Sequence, residues 1–176
     1  MTERVAGDAR AADAARQPDA ALHVRPATAA DLPLIVELRL ALLREHAHNP
    51  LYRRLRPDAP ARAQRLFARQ LRSPNEMLFL AERAGAVVGI LRCIQSSGFP
   101  LLFPAQYGYV SSVYVLPRER HTGVLRALFD RAAAWCRSRG LTEMRLHAAA
   151  DNPTANAAWD ALGFEIVEHL RVRRVP

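Results

Sequence analysis

Between positions 32 and 43, apolar residues recur every three or four places: Leu32, Ile35, Val36, Leu38, Leu42 and Leu43. That is a helical period. Asp31 offers a cap and Pro33 suits a first turn, so a helix is predicted over 31–46. After Asn49-Pro50 and a basic loop, a second helix is expected from about 60 to 71. The pattern then becomes that of strands: 77–82 and 87–94 flank Arg83-Ala84-Gly85-Ala86, a hairpin turn. A loop with Gly98, Pro100 and Pro104 leads to a strand over 107–115. A helix over 123–139 follows, ended by Gly140, then a strand over 144–148, a helix over 154–162 and a closing strand pair. This order predicts an α+β fold, a central mixed sheet flanked by helices, with no internal repeat.

The first 21 residues alternate Ala, Arg and Asp, with no large apolar residue beyond Val5. Such a stretch buries too little to offset its ordering entropy, so 1–21 is expected to be a disordered tail and 22–176 a single domain. Half of the 176 residues are apolar, enough for a core. No apolar run reaches the length of a membrane span, and no signal-peptide pattern opens the chain. Cys93 and Cys136 have neither C-x-x-C nor zinc spacing, so they read as buried small hydrophobes in a reduced, cytoplasmic protein, with no metal site. The basic residues are all arginine and the net charge is +8. Those arginines are spread along the chain, with no helix-turn-helix, ribonucleoprotein motif or basic tail. A nucleic-acid partner is therefore not expected.

The richest stretch is Val113-Tyr114-Val115-Leu116-Pro117-Arg118-Glu119-Arg120-His121-Thr122-Gly123-Val124-Leu125-Arg126. It reads as strand, proline break, basic turn and helix start. A helix start presents unpaired N–H groups and a positive dipole end, and arginines beside them make a phosphate site. An ordinary strand-to-helix connection is the competing reading. A second segment, Asp151-Asn152-Pro153-Thr154-Ala155 through Trp159 to Leu162-Gly163-Phe164, narrows the choice.

Together these segments resemble the acetyl-CoA-binding core of the GNAT superfamily of N-acetyltransferases. In that family V-x-P leads into R/Q-x-x-G-x-G/A, then N-x-x-A and an aromatic before L-G-F. Arg120, Gly123, Asn152, Ala155, Trp159, Leu162, Gly163 and Phe164 match in order. The opening Val24-Arg25-Pro26-Ala27-Thr28 and Asp31-Leu32-Pro33 resemble the family's first strand and helix start. The resemblance implies an acetyl-CoA-dependent N-acetyltransferase whose acceptor is a primary amine of a small molecule or peptide. A non-catalytic CoA-binding module is the alternative. It implies splayed strands forming a slot, with Val113 and Val115 pairing with pantetheine. The pyrophosphate would lie on the turn of Arg120, His121, Thr122, Gly123, Val124, Leu125 and Arg126. Ser111-Ser112 breaks strict alternation, as a bulge that splays the strands or as a polar patch.

Two departures stand out. The family prefers a small residue where this chain has Leu125; on the apolar stripe with Leu128, Phe129, Ala132, Trp135 and Cys136 it has a reasonable core role, and turned into the sheet it leaves CoA room to dock, whereas turned outward it lowers affinity. The family's acidic tyrosine is replaced by Trp159, whose indole N–H donates but is no acid near neutral pH. Trp159 then reads as a slot wall or a core residue. Asn152 is the catalytic candidate, facing pantetheine or the acetyl carbonyl. The general base is unidentified, with His46 and His48 as candidates at the end of the first helix. Arg39, Arg44, Arg53, Arg54, Arg56, Arg62, Arg65, Arg69 and Arg72, against Glu37, Glu45 and Asp58, surround the expected acceptor mouth, which disfavours polyamines and aminoglycosides and suits an amine carrying a carboxylate or an acidic peptide terminus. A homodimer through residues 164–175 is a further possibility.

Overall fold

The computed structural model describes residues 21–175, so the expected tail falls almost wholly outside the described residues. Strand β1 (His23–Pro26) precedes α1 (Leu32–Glu45) and α2 (Ala59–Gln70). Strands β2 (Glu76–Arg83), β3 (Ala86–Ser97) and β4 (Gln106–Val115) follow, then α3 (Val124–Ser138), β5 (Met144–Leu146) and α4 (Pro153–Asp160). The sheet order is β1-β2-β3-β4-β5. The first three pairings are antiparallel and β4–β5 is parallel, so the sheet is mixed, as expected.

Alternation along the strands divides the core into two. On one face Ile35, Leu38, Ala63 and Phe67 of α1 and α2 pack against Leu78, Leu80, Ile90 and Tyr114. On the other, Val124, Leu128, Ala132 and Cys136 of α3 meet Phe79, Ala81, Leu91, Cys93 and Val110. Each fully buried Leu, Ile or Phe contributes about 1.5–3 kcal/mol. The α3 face is packed closely enough to need a glycine: a Cβ on Gly108 would lie 2.4 Å from the Cys136 Sγ. The two cysteines are free and buried, with sulfurs 3.5 Å apart.

Two local expectations are corrected. Asp31 makes no side-chain cap on α1. Its carboxylate instead accepts from the Thr28 N–H at 2.7 Å and pairs with Arg25, whose guanidinium holds it well below the usual carboxylate range. The closing strand pair is absent among the described residues: 164–175 carries no strand. β5, at three residues, offers only a short edge to extend, and Ile166, Val167, Leu170 and Val172 lie exposed. Among the described residues no helix is long and apolar enough to cross a membrane.

Candidate functional site

A β-bulge opens the site. Ile90 pairs with Tyr114 and Arg92 with Ser111, so β4 carries one residue more than β3 across that interval. Ser112 sits there with φ +51°, which settles the Ser111-Ser112 question in favour of a bulge. On its other side β4 pairs with β5 only over Gly108–Val110 against Met144–Leu146. From Ser111 onward the two strands have parted, leaving a slot with the outer backbone of β4 as one wall. The Leu116 N–H donates to Val88 O on β3, so the Val115 carbonyl of the same peptide points the opposite way, into the slot. Alternation places the Val113 backbone on that side too.

At the end of this wall the chain turns through Pro117–Glu119 and His121 (φ +61°) to Gly123 (φ +85°), where α3 begins. Nothing lies within 4 Å of a Cβ built on Gly123, so its glycine serves backbone conformation and leaves open space outside the turn. The first turn's return bond is Ala127 N–H to Gly123 O, which leaves the N–H groups of Val124, Leu125 and Arg126 without helical acceptors. His121 and Thr122 are exposed beside them. A staple the sequence reading missed holds this turn: Arg83 pairs with Glu119 and donates to Thr122 Oγ1 at 3.0 Å and to its carbonyl at 3.2 Å. Only tertiary structure brings β2's last residue here.

The two arginines expected to contact phosphate are occupied otherwise. Arg120 turns back along β4: its Nε donates to Val115 O at 3.1 Å and its Nη2 reaches both Glu45 oxygens at 2.7 Å. Arg126 donates to Ala161 O at 2.9 Å, tying α3 to the end of α4. Arg126, bonded to a neutral carbonyl, still adds its charge to that of the helix start and its N–H groups. Leu125 is likewise corrected: Val124 fills the core position, and Leu125 is only half-buried because it falls a residue off the buried stripe of Val124, Leu128, Ala132 and Cys136.

Asn152 also has a structural role that its motif position did not reveal. Its Oδ1 accepts from the Ala155 N–H at 3.0 Å, capping α4, so its carbonyl oxygen is spent on the fold. Trp159 packs edge-on to Phe164, with centroids 5.7 Å apart, and Phe164 packs on Phe129 of α3. That ladder gives Trp159 a packing role between α4 and α3.

On the α1–α2 face, a different group of residues gathers at the point where β4 and β5 part. Tyr109 of β4 and His147, just beyond β5, share a 2.7 Å hydrogen bond between the phenol oxygen and Nδ1. Burial pushes the Tyr109 phenol up, so it is a neutral group that can donate. Neither residue carries a family motif, and their sequence separation of 38 hides the pairing. His46 is half-buried with its Nδ1 unpartnered. His48 lies 3.5 Å from Asp151, linking the α1–α2 loop to the loop before α4.

Arg92 of β3 pairs with Glu76 and donates to Ser111 Oγ at 3.2 Å. Arg39 of α1 stands near Arg92, Tyr52 and Tyr109, close enough for their charges to interact. It opens onto a groove of about 640 Å³ between α1, α2 and their connecting loop.

Comparison with known proteins bears on this geometry. Residues 41–164 match the family model described as Acetyltransferase (GNAT) family. An aminoglycoside N(6')-acetyltransferase type 1 from Stenotrophomonas maltophilia is 30% identical over 158 residues, 87% of this chain and 92% of that protein. One of the same name from Acinetobacter haemolyticus is 35% identical over 63 residues, so that match spans 36% of this chain and 43% of the relative. Among solved structures, AAC(6')-Iy in complex with the bisubstrate analogue CoA-S-monomethyl-acetylneamine superposes with a TM-score of 0.71 at 20% identity, covering 89% of this chain and 99% of that one.

Proposed function

We infer an N-acetyltransferase with acetyl-CoA as donor, because the chain belongs to the acetyltransferase (GNAT) family. We propose that it acetylates a primary amine of a small molecule or peptide end, which meets the donor where β4 and β5 part. The observation that carries this reading is the juxtaposition of an unpaired β4 backbone, an open helix start and a titratable Tyr109–His147 pair. When bound, acetyl-CoA supplies an acyl group already activated as a thioester.

The backbone of Val113 holds the pantetheine amides by strand addition. At Val115 the carbonyl is shared with Arg120, which leaves its N–H as the free donor. The N–H groups of Val124, Leu125 and Arg126, with Gly123, His121 and Thr122 around them, hold the pyrophosphate. Arg120 acts here as a positioning residue, fixing the Val115 carbonyl and the end of α1 through Glu45. Asn152 shapes the slot through its cap, with its amide N–H₂ left to donate.

The amine must lose a proton before it can attack. In the tautomer with its proton on Nδ1, shared with the Tyr109 oxygen, His147 keeps a lone pair on Nε2 that takes this proton. The Tyr109 hydroxyl, neutral and able to donate, would then supply the proton to the thiolate, the task Trp159 cannot perform. A thermal-shift titration with CoA on wild type and Gly123→Glu tests the donor site. A rise in melting temperature that the variant abolishes is expected, by mass action. An equal rise in both proteins would overturn the placement of the pyrophosphate.

The exposed Ile166, Val167, Leu170 and Val172 favour one addition: residues 164–175 pair with a second copy of the chain. Light scattering that finds a monomer at tens of micromolar would remove it.

A further inference from the structure

Resting on the acetyltransferase reading, the charge of the groove between α1 and α2 narrows the acceptor. The lining includes Arg39, Arg54, Arg56, Arg62, Arg65 and Arg69, and no carboxylate lines it among the described residues. The nearest acid, Asp58, is already engaged by Arg56 at 3.2 Å and Arg62 at 2.7 Å. Glu76 and Glu45 on this side are also taken, by Arg92 and Arg120, and Glu37 of α1 is exposed and does not line the groove. Arg39, Arg54, Arg65 and Arg69 have no carboxylate within ion-pair distance among the described residues.

Arg39 is the most telling of these. It is half-buried on the groove's lining, and burial, with the nearby Arg92 charge, lowers its hold on its proton. A desolvated guanidinium without a counter-charge costs free energy that an incoming carboxylate recovers. Leu40, Leu43, Leu51, Leu55 and Leu66 supply an apolar floor, and partial exclusion of water strengthens every charge above it. A polycation entering this groove would meet six guanidinium groups with no acid to receive it. Arg39 also lies within charge range of Tyr109, which links the groove to the Tyr109–His147 pair.

We propose that the acceptor is an amine that also carries one or more carboxylates, an amino acid derivative or acidic peptide end, and that Arg39 is the residue selecting it. This separates the chain from relatives named for aminoglycosides, whose substrates are amine-rich.

The test is steady-state thiol release from acetyl-CoA with four acceptors: alanyl-glutamate, the same dipeptide with both carboxylates amidated, kanamycin and spermine. Wild type, Arg39→Gln, Arg39→Lys and the remote Arg137→Gln are compared, each with a CoA thermal shift alongside. The acid is expected to exceed its diamide at least tenfold in kcat/KM, mainly through KM. That ratio should collapse toward one in Arg39→Gln, recover partly in Arg39→Lys and persist in Arg137→Gln. Equal use of acid and diamide, preference for kanamycin or spermine, or a ratio that Arg39→Gln does not change would overturn the proposal. So would CoA stabilisation with no turnover of any acceptor. Absence of CoA stabilisation in wild type would be a different failure, of the acetyltransferase reading itself.

Discussion

The two faces of the sheet are built on different principles. On the α3 side the contacts that matter are made by backbone and by close apolar packing: Val113 and Val115 turned into the slot, N–H groups at the start of α3, and Gly108 pressed under Cys136. On the α1–α2 side the site is made of side chains from distant positions: Arg39, Tyr52, Tyr109, His147 and the Arg92–Glu76 pair. A backbone-built region can hold the same donor whatever its side chains become, provided the turn keeps its shape. A side-chain-built region can change its substrate with a few replacements. The contrast explains how a chain can share its fold with AAC(6')-Iy at 20% identity and still line its groove with arginine.

The comparison breaks most readily at His147. If the side-chain half performs the proton transfer, His147→Gln should lower kcat about 10²–10⁴-fold. Tyr109→Phe keeps the ring and removes the hydroxyl, so it should give a smaller loss in kcat. In both variants the CoA thermal shift should persist, because the backbone-built half is untouched. A full kcat in His147→Gln, measured by thiol release under saturating acceptor, would move the base elsewhere, with His46 and its unpartnered Nδ1 next in line.

What the sequence revealed follows the same division. The turn before α3 was legible because its requirements are local: a proline break, a positive-φ glycine at Gly123 and a helix start lie within a few residues. The interruption at Ser111-Ser112 was visible too, but a polar patch explained it equally well until the strand register showed the bulge. Motif position did not reveal side-chain direction. Arg120 and Arg126 stand where charge was expected, yet tertiary neighbours, Glu45 and Ala161, decide where their guanidinium groups point. Asn152 sits where the motif requires, but an asparagine before Pro153 also makes a good helix cap, and the cap takes its oxygen. Tyr109–His147 and Arg83–Thr122 were not legible, because pairings across 38 and 39 residues depend on strand register.

A smaller effect sharpens the contrast in packing. Gly108→Ala places a methyl group 2.4 Å from Cys136 Sγ and 3.5 Å from Met144 Cγ, within a close-packed interface. Forcing α3 outward should cost about 1–3 kcal/mol in urea denaturation. Cys136→Ala in that background should recover part of the loss, since the two sites are in contact. Leu66→Ala on the α2 groove, where the side chain is 40% exposed, should cost less than about 1 kcal/mol. Similar losses for Gly108→Ala and Leu66→Ala would mean that the two faces are packed alike.

The smallest effect tests the bridge between the halves. Glu45 ends α1 and Arg120 lies in the turn before α3, so their two 2.7 Å contacts join the proposed acceptor side to the proposed donor side. Hydrogen bonding to Arg120 lowers the Glu45 carboxyl below its ordinary value. A depressed folded-state value means that the pair stabilises the fold above the unfolded carboxyl's pKa of about 4.3, and that this is lost as pH falls toward the folded value. Both side chains are more than a third exposed, at 36% and 37%, so solvent screening keeps the contribution small. Glu45→Gln should therefore destabilise by about 0.2–1 kcal/mol at pH 7. Denaturant midpoints at pH 7 and near pH 3 provide the check: the gap between wild type and variant should close at the acid end. A gap that widens there would have the sign of a group whose value is raised, which is incompatible with a carboxylate held by Arg120. Closure of the gap, with weaker CoA stabilisation of the variant at pH 7, would show that the end of α1 helps to hold the donor turn in place.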